Sequence, residues 1–249
     1  MGNYFTFDRI NNDEILSFYS RKPMDFGGPA LEGEGRKALI GEIEQDFGYK
    51  FRYVAKCTRQ VHGRRVVIVD EQNLGTELGE ADGLMTDLRG VALEIHTADC
   101  QSVFLYDPVR GVIGNIHSGW KGTVQKIVPG AVEQMQSHFG CRPENIEVYI
   151  NPSILGCCFE IEQDVVDQFR TIVDVDKYCR KDRVVDGRQK YFMDTAAVNR
   201  DLMIEMGVLE EHIFLSGVCT MCNTQEYNSY RGDHHVTGRN GSLICLKQS

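Results

Sequence analysis

Short apolar or alternating runs recur along the whole chain, at Tyr4–Phe7, Phe51–Val54, Val66–Val69, Val91–Ile95, Ser102–Tyr106 and Gly111–Ile116, then at Ile146–Ile150, Ile213–Ser216 and Ser242–Leu246. Runs this short, bounded by turn residues, predict strands. Helical periodicity is clearest over Thr123–Phe139, where Ile127, Val128, Ala131, Val132 and Met135 share one stripe. Gln163–Val173 and Thr195–Met206 fit two further helices, the second with Asp194 as N-cap. A glycine-rich stretch from Arg21 to Gly35 reads as a long loop, and a helix follows to about Phe47. Strands outnumber helices, and several follow one another with no helix between. The pattern predicts a mixed α+β fold rather than a doubly wound parallel sheet.

Length and composition narrow this picture. The 249 residues contain no repeat, low-complexity tract or proline-rich linker, which predicts one domain over 1–249 with a proper core. A formal net charge of −9 argues against non-specific binding to nucleic acid or to an anionic membrane surface, since both require a basic face. A small anionic ligand remains open, because it needs only a local cluster of cations. No apolar run approaches the roughly 20 residues that would span a bilayer. Met1–Arg9 lacks the basic and apolar regions of a signal peptide. Nine cysteines, an odd number in a chain this long, read better as free thiols and metal ligands than as a disulfide framework. The expected compartment is the cytoplasm.

Three segments place metal-competent side chains at strand ends or beside glycine: Arg59-Gln60-Val61-His62-Gly63, Thr97-Ala98-Asp99-Cys100 and His117-Ser118-Gly119-Trp120-Lys121-Gly122-Thr123. Cys100 and His117 flank one strand–turn–strand unit. If those strands are antiparallel neighbours, the thiol and the imidazole meet at one sheet end. His62 would then have to arrive from elsewhere in the fold. Two histidines and a cysteine give zinc three protein ligands and leave a fourth position open, the pattern of a catalytic site. The same residues without metal would form a thiolate–imidazolium nucleophile pair. They could equally be a turn histidine, a small buried thiol and a hydrogen-bonded core histidine. Spacing alone does not separate the three.

A longer set of motifs carries a resemblance. Glu80-Ala81-Asp82-Gly83-Leu84-Met85-Thr86, Thr97-Ala98-Asp99-Cys100, and Gly111-Val112-Ile113-Gly114 leading into His117-Ser118-Gly119-Trp120-Lys121-Gly122 follow in order. Upstream stands Gln60-Val61-His62-Gly63. Downstream come Ile150–Glu160 with its vicinal Cys157-Cys158, then Tyr227-Asn228-Ser229-Tyr230-Arg231 and Thr237-Gly238-Arg239. Over about residues 50 to 249 the chain resembles the laccase-domain family, formerly called multicopper polyphenol oxidoreductases and now regarded as zinc-dependent purine nucleoside phosphorylases.

The resemblance implies that His62, Cys100 and His117 are both the metal ligands and the catalytic centre, with Zn²⁺ as cofactor and copper as an alternative. It implies purine nucleosides and phosphate as substrates: phosphorolysis of adenosine, inosine and methylthioadenosine, and deamination of adenosine. It also implies mixed sheets in an α/β/β/α layered arrangement, similar to toxin-type cysteine hydrolases. Arg59, Lys121 and Arg231 are the cations expected at the substrate, helped by N–H groups at the start of the Thr123 helix. Asp82 and Asp99 could each orient a ligand histidine or cap a turn, and the turn is favoured for Asp82. The chain departs from the family pattern over residues 1–49, where Gly27–Gly33 replaces a pocket-lining run. It departs again at Asn151-Pro152 and at Gly232-Asp233-His234-His235. Cys219 and Cys222 form a lone Cys-x-x-Cys that His234-His235 could complete on paper; it is expected, with Cys57, Cys141, Cys179 and Cys245, to be ordinary buried thiol. The alternatives are a copper-dependent polyphenol oxidase, for which seven histidines are few, a metal-free Cys/His hydrolase, and a scaffold with a vestigial site.

Overall fold

The computed structural model of the protein describes residues 2–27 and 32–248. Part of the glycine-rich loop, residues 28–31, lies outside the described residues. Among the described residues, fourteen strands and five α-helices form three sheets with helices around them.

The first sheet has the order β1 (Tyr4–Phe5), β2 (Ile15–Ser20), β14 (Asn240–Leu246), β6 (Val91–Thr97) and β3 (Tyr53–Lys56). The second runs β13 (Ile213–Leu215), β9 (Glu147–Ile150), β7 (Gln101–Asp107), β8 (Val112–Ser118), β5 (Gly83–Thr86) and β4 (Val66–Ile68). Both are mixed: β3 runs parallel to β6, β13 to β9 and β4 to β5, and the other pairs in these two sheets are antiparallel. A small antiparallel sheet joins β10 (Glu160–Ile161), β12 (Arg188–Met193) and β11 (Cys179–Val185).

Strand alternation assigns each side chain to a core. Leu93 of β6, Ile244 of β14, Phe104 of β7, Ile113 of β8 and Tyr149 of β9 belong to one apolar cluster, shared by the two large sheets. Their neighbours point the other way. Ala92, Leu243 and Cys245 join Leu16 and Phe18 beneath Ile43 of α1 (Glu34–Phe47). Val103, Leu105, Val148 and Ile150 join Val128, Val132 and Met135 of α3 (Ile127–Phe139), Phe169 of α4 (Gln163–Arg170) and Leu202 of α5 (Thr195–Glu205).

The helix expected over Thr123–Phe139 is two helices. α2 (Trp120–Val124) ends before Lys126, whose φ of 56° is left-handed and breaks the rod. The N-cap of α5 is Asp194 as expected, its carboxylate accepting from the Ala197 N–H at 3.0 Å. Strands β2, β5, β10, β11 and β12 are additions to the sequence reading. None of the helices among the described residues is long and apolar enough to cross a membrane.

Candidate functional site

β7 and β8 are antiparallel, with Ser102 opposite His117 and Gln101 opposite Ser118. Cys100, just before β7, and His117, near the end of β8, therefore reach the same sheet end. On β8 His117 continues the row of Ile113 and Asn115, the face turned toward the first sheet, and it is buried. His62 comes in on the loop after β3, held at φ 58°. The ligand atoms of His62, Cys100 and His117 all lie within 4.8 Å of one another. Cys100 Sγ is 3.8 Å from His62 Nε2, and the two imidazole rings stand edge to face with centroids 4.8 Å apart.

Asp82, fully buried, organises two of the three. Its Oδ1 accepts from the His62 N–H at 2.8 Å and its Oδ2 from the Gly63 N–H at 2.7 Å, which fixes the strained loop. The same Oδ1 lies 2.8 Å from His117 Nδ1. Holding Nδ1 on a carboxylate leaves Nε2 as the nitrogen turned toward Cys100, the usual support of a metal-binding histidine. The expectation that Asp82 merely caps a turn is thus corrected: it caps the turn and orients His117. Burial pushes this carboxyl up, but His117 and the N–H groups of Gly63 and His62 outweigh it and hold it below its ordinary value.

Asp99 contacts no histidine in this set. At φ 83° it accepts from Thr220 Oγ1 and Ser229 Oγ, each at 2.7 Å, and from the Arg231 N–H at 2.7 Å. It pins the turn carrying Cys100 to the 220–231 segment. Gly119 closes the site from below: a Cβ there would stand 2.8 Å from His62 Cδ2 and 3.0 Å from Cys100 Sγ. A side chain cannot fit at this position.

Burial opposes charge on both Cys100 and His117, yet each is charged more easily than usual. The His117 and His62 imidazoles bring the Cys100 thiol down to about 6, and Asp82 with the Cys100 sulfur raises His117 to about 9. A thiolate acceptor and nitrogen lone pairs converging within a few ångströms suit a borderline-soft divalent ion.

The trio forms the floor of a cavity of about 640 Å³ at the mouth between the two large sheets. Its wall includes Arg59, but not Lys121 or Arg231. Arg59 sits at the rim and pairs with Glu80 at 2.5 Å. The Lys121 ammonium lies over the Trp120 ring, 5.5 Å from its centroid. Arg231 donates to the Glu160 carbonyl at 2.9 Å and stacks over Phe159, facing a different and smaller cavity. The helix start expected at Thr123 is displaced to Trp120 and opens a short helix of 5 residues.

The wall carries groups to which the sequence reading gave no role, Arg36 of α1, Lys56 at the end of β3 and His96 of β6, and two residues of its motifs, Tyr230 and Arg239. Glu94, buried on β6, takes both terminal nitrogens of Arg36 at 2.8 Å and lies 2.5 Å from His96 Nε2. Burial would raise this carboxyl, but His96 and Arg36 hold it at about 2. Glu94 interrupts the otherwise apolar run Val91–Ile95, a signal visible in the sequence.

A model described as "Multi-copper polyphenol oxidoreductase laccase" matches residues 40–247. The purine nucleoside phosphorylase YlmD of Bacillus subtilis is 33% identical, over 96% of this chain and 91% of its own. A purine nucleoside phosphorylase of Deinococcus radiodurans is 39% identical over 88% of this chain and 78% of its own. An adenosine deaminase, RL5, from an unknown prokaryotic organism is 31% identical, over 76% and 75%. Among solved structures, the hypothetical protein YfiH of Bacillus licheniformis superposes with a TM-score of 0.83 at 26% identity, covering 94% of this chain and 93% of that one.

Proposed function

The chain belongs to the multi-copper polyphenol oxidoreductase laccase family, and we propose from that membership that it is a zinc-dependent purine nucleoside phosphorylase with adenosine deaminase activity. The observation that carries the reading is the convergence of His62, Cys100 and His117 on the floor of a cavity large enough for a nucleoside. Membership supplies the substrate class, since relatives bear both activities in their names. The whole of 1–249 is read as one domain, and the three core clusters support α/β/β/α layering. The kinship with toxin-type cysteine hydrolases rests on the sequence resemblance.

His62, Cys100 and His117 fit zinc by donor type and spacing, and Asp82 presets the His117 tautomer. Zinc supplies Lewis acidity there: the capacity to activate water and to stabilise negative charge on a departing purine. The chain's own residues do the rest. Lys56, Arg59 and Arg239 bring positive charge to the cavity lining, matching phosphate. Tyr230, exposed on the lining, offers an aromatic ring to a base. In phosphorolysis phosphate adds at C1′ of the sugar as the N-glycosidic bond breaks, giving free base and ribose 1-phosphate. In deamination water adds at C6 of adenine and ammonia leaves.

The donor inventory argues against a multicopper oxidase. Among the described residues the clusters able to hold a metal are this trio and a set of four cysteines. His96 is engaged by Glu94 and His235 packs against Tyr230. A single His₂Cys set cannot build several copper centres. The metal-free Cys/His hydrolase has one specific observation in its favour, the ease with which Cys100 and His117 ionise together. Assays of adenosine and inosine with phosphate, before and after chelation, decide. The proposal expects phosphate-dependent release of base that chelation abolishes and zinc restores, and Cys100→Ala should have neither metal at this site nor turnover. Turnover that survives chelation and stops on alkylation of Cys100 would establish the hydrolase instead.

A further inference from the structure

Two cysteine pairs far apart in sequence meet away from the cavity. β9 and β13 run parallel, and their continuations stay side by side: the Ser153 N–H donates to the Val218 carbonyl, and the Thr220 N–H to the Ser153 carbonyl. This brings Cys157 and Cys158 against Cys219 and Cys222, with all four sulfurs within 4.8 Å of one another. Cys222 Sγ is 3.3 Å from Cys158 Sγ and 3.7 Å from Cys157 Sγ.

We propose that Cys157, Cys158, Cys219 and Cys222 hold a second metal ion, a structural zinc, separate from the His62–Cys100–His117 site. In a tetrahedral site with Zn–S bonds of about 2.3 Å the sulfurs stand about 3.8 Å apart, close to the separations found. Four thiolates close the coordination sphere, so no position is left for water or substrate, and the ion's role is to clamp two loops. The chemistry that drives it is the mutual crowding of four sulfurs, which a cation relieves and an apolar core does not.

The clamp bears on catalysis through position. The segment after Cys222 carries Ser229 and the Arg231 N–H, and Thr220 lies between the clamped cysteines; all three bond to Asp99. Asp99 immediately precedes Cys100. Locking the 219–231 segment therefore fixes the left-handed turn that presents Cys100, and it also sets Tyr230 on the cavity wall.

The test uses Cys100→Ala, which removes the cavity thiolate and leaves this cluster intact. Purified without added metal, it should retain about one zinc per chain, and the wild type about two. Cys222→Ser should lose one zinc relative to the wild type. If that variant does not fold, Co²⁺ loaded into Cys100→Ala gives a second readout. Four thiolates should give thiolate-to-cobalt charge-transfer absorption about fourfold that of a single-thiolate site, with the intense visible bands of tetrahedral cobalt. The eight cysteines left in Cys100→Ala should all titrate as thiols in denaturant with chelator and no reductant. A Cys100→Ala protein without tightly held metal overturns the proposal. So does the loss of two titratable thiols to a disulfide in this cluster.

Discussion

At the scale of single residues the cavity site depends on two positions outside the His62–Cys100–His117 set, Gly119 and Asp82. Gly119 has ordinary extended backbone, so glycine is required there by space rather than by conformation. A Cβ 2.8 Å from one ligand ring and 3.0 Å from the ligand sulfur forces both apart. Gly119→Ala is expected to weaken zinc at this site by about 10–100-fold, the range typical when a supporting contact of a metal ligand is disturbed. Competition with a chromogenic chelator measures it. Gly130→Ala on α3 is the control, because a Cβ there meets open space. It should leave metal affinity unchanged and raise stability by up to about 1 kcal/mol through helix propensity. Asp82→Asn keeps an oxygen for one N–H but loses the charge that binds both the His62 loop and His117. It should cost zinc affinity by a similar factor and lower kcat. An affinity unchanged from the wild type would mean that Asp82 only shapes the turn.

At the scale of elements, α1 is joined to the first sheet by the Arg36–Glu94 pair as well as by Ile43. The Glu94 carboxyl sits below its ordinary value in the folded protein, so the folded state binds its proton more weakly than the unfolded chain does. Its contribution to stability is complete above about pH 4.5 and is lost as pH falls toward 2. The depression corresponds to a contribution on the order of a few kcal/mol. Urea unfolding at pH 7 and pH 3 should show the wild type losing more stability on acidification than Glu94→Gln does; equal losses would remove Glu94 from the account. The elements also mark what could be read in advance. Strands that follow a hydrophobic run were legible, and so was the meeting of Cys100 with His117 across one hairpin. β2 was not, because Ile15–Ser20 is buried along its whole length and mixes serine and tyrosine with apolar residues. β11 and β12 are partly exposed and rich in charge, so periodicity is faint; their Asp186-Gly187 turn, with φ of 50° and 74°, was the available signal. The four-cysteine cluster was hidden because each half is too short to announce a site. Only the parallel pairing of β9 with β13 joins them. Arg36, Lys56 and Arg239 reach the cavity from α1, the end of β3 and the loop before β14, and have no local motif in common.

For the molecule as a whole, the question is whether the two large sheets act as one unit, as the single-domain reading requires. They share an apolar cluster, but a polar node near the cavity end ties them with more direction. Asn115 of β8 donates through Nδ2 to the carbonyls of Leu93 and Ser242 in the first sheet, at 2.9 and 3.1 Å. Its Oδ1 accepts from Ser102 Oγ at 3.0 Å, and Ser102 Oγ lies 2.7 Å from Ser242 Oγ. All of these groups are buried. Removing the amide strands several of them, and an unpaired buried polar group costs about 1–3 kcal/mol. Asn115→Ala should therefore cost about 2–4 kcal/mol. At roughly 2–4 °C per kcal/mol for a chain of this size, the loss is easily seen in a thermal scan. Sheets coupled through one core should move together, so the unfolding transition should shift down and stay single when followed by far-UV dichroism and by Trp120 fluorescence. Trp120 reports on the helical side of the second sheet, where it packs against the α3 cluster. Two separated transitions, with the fluorescence change unmoved, would show that the first sheet melts independently. The cavity would then lie at a seam between two units, and its closure rather than its chemistry would set the temperature at which activity is lost.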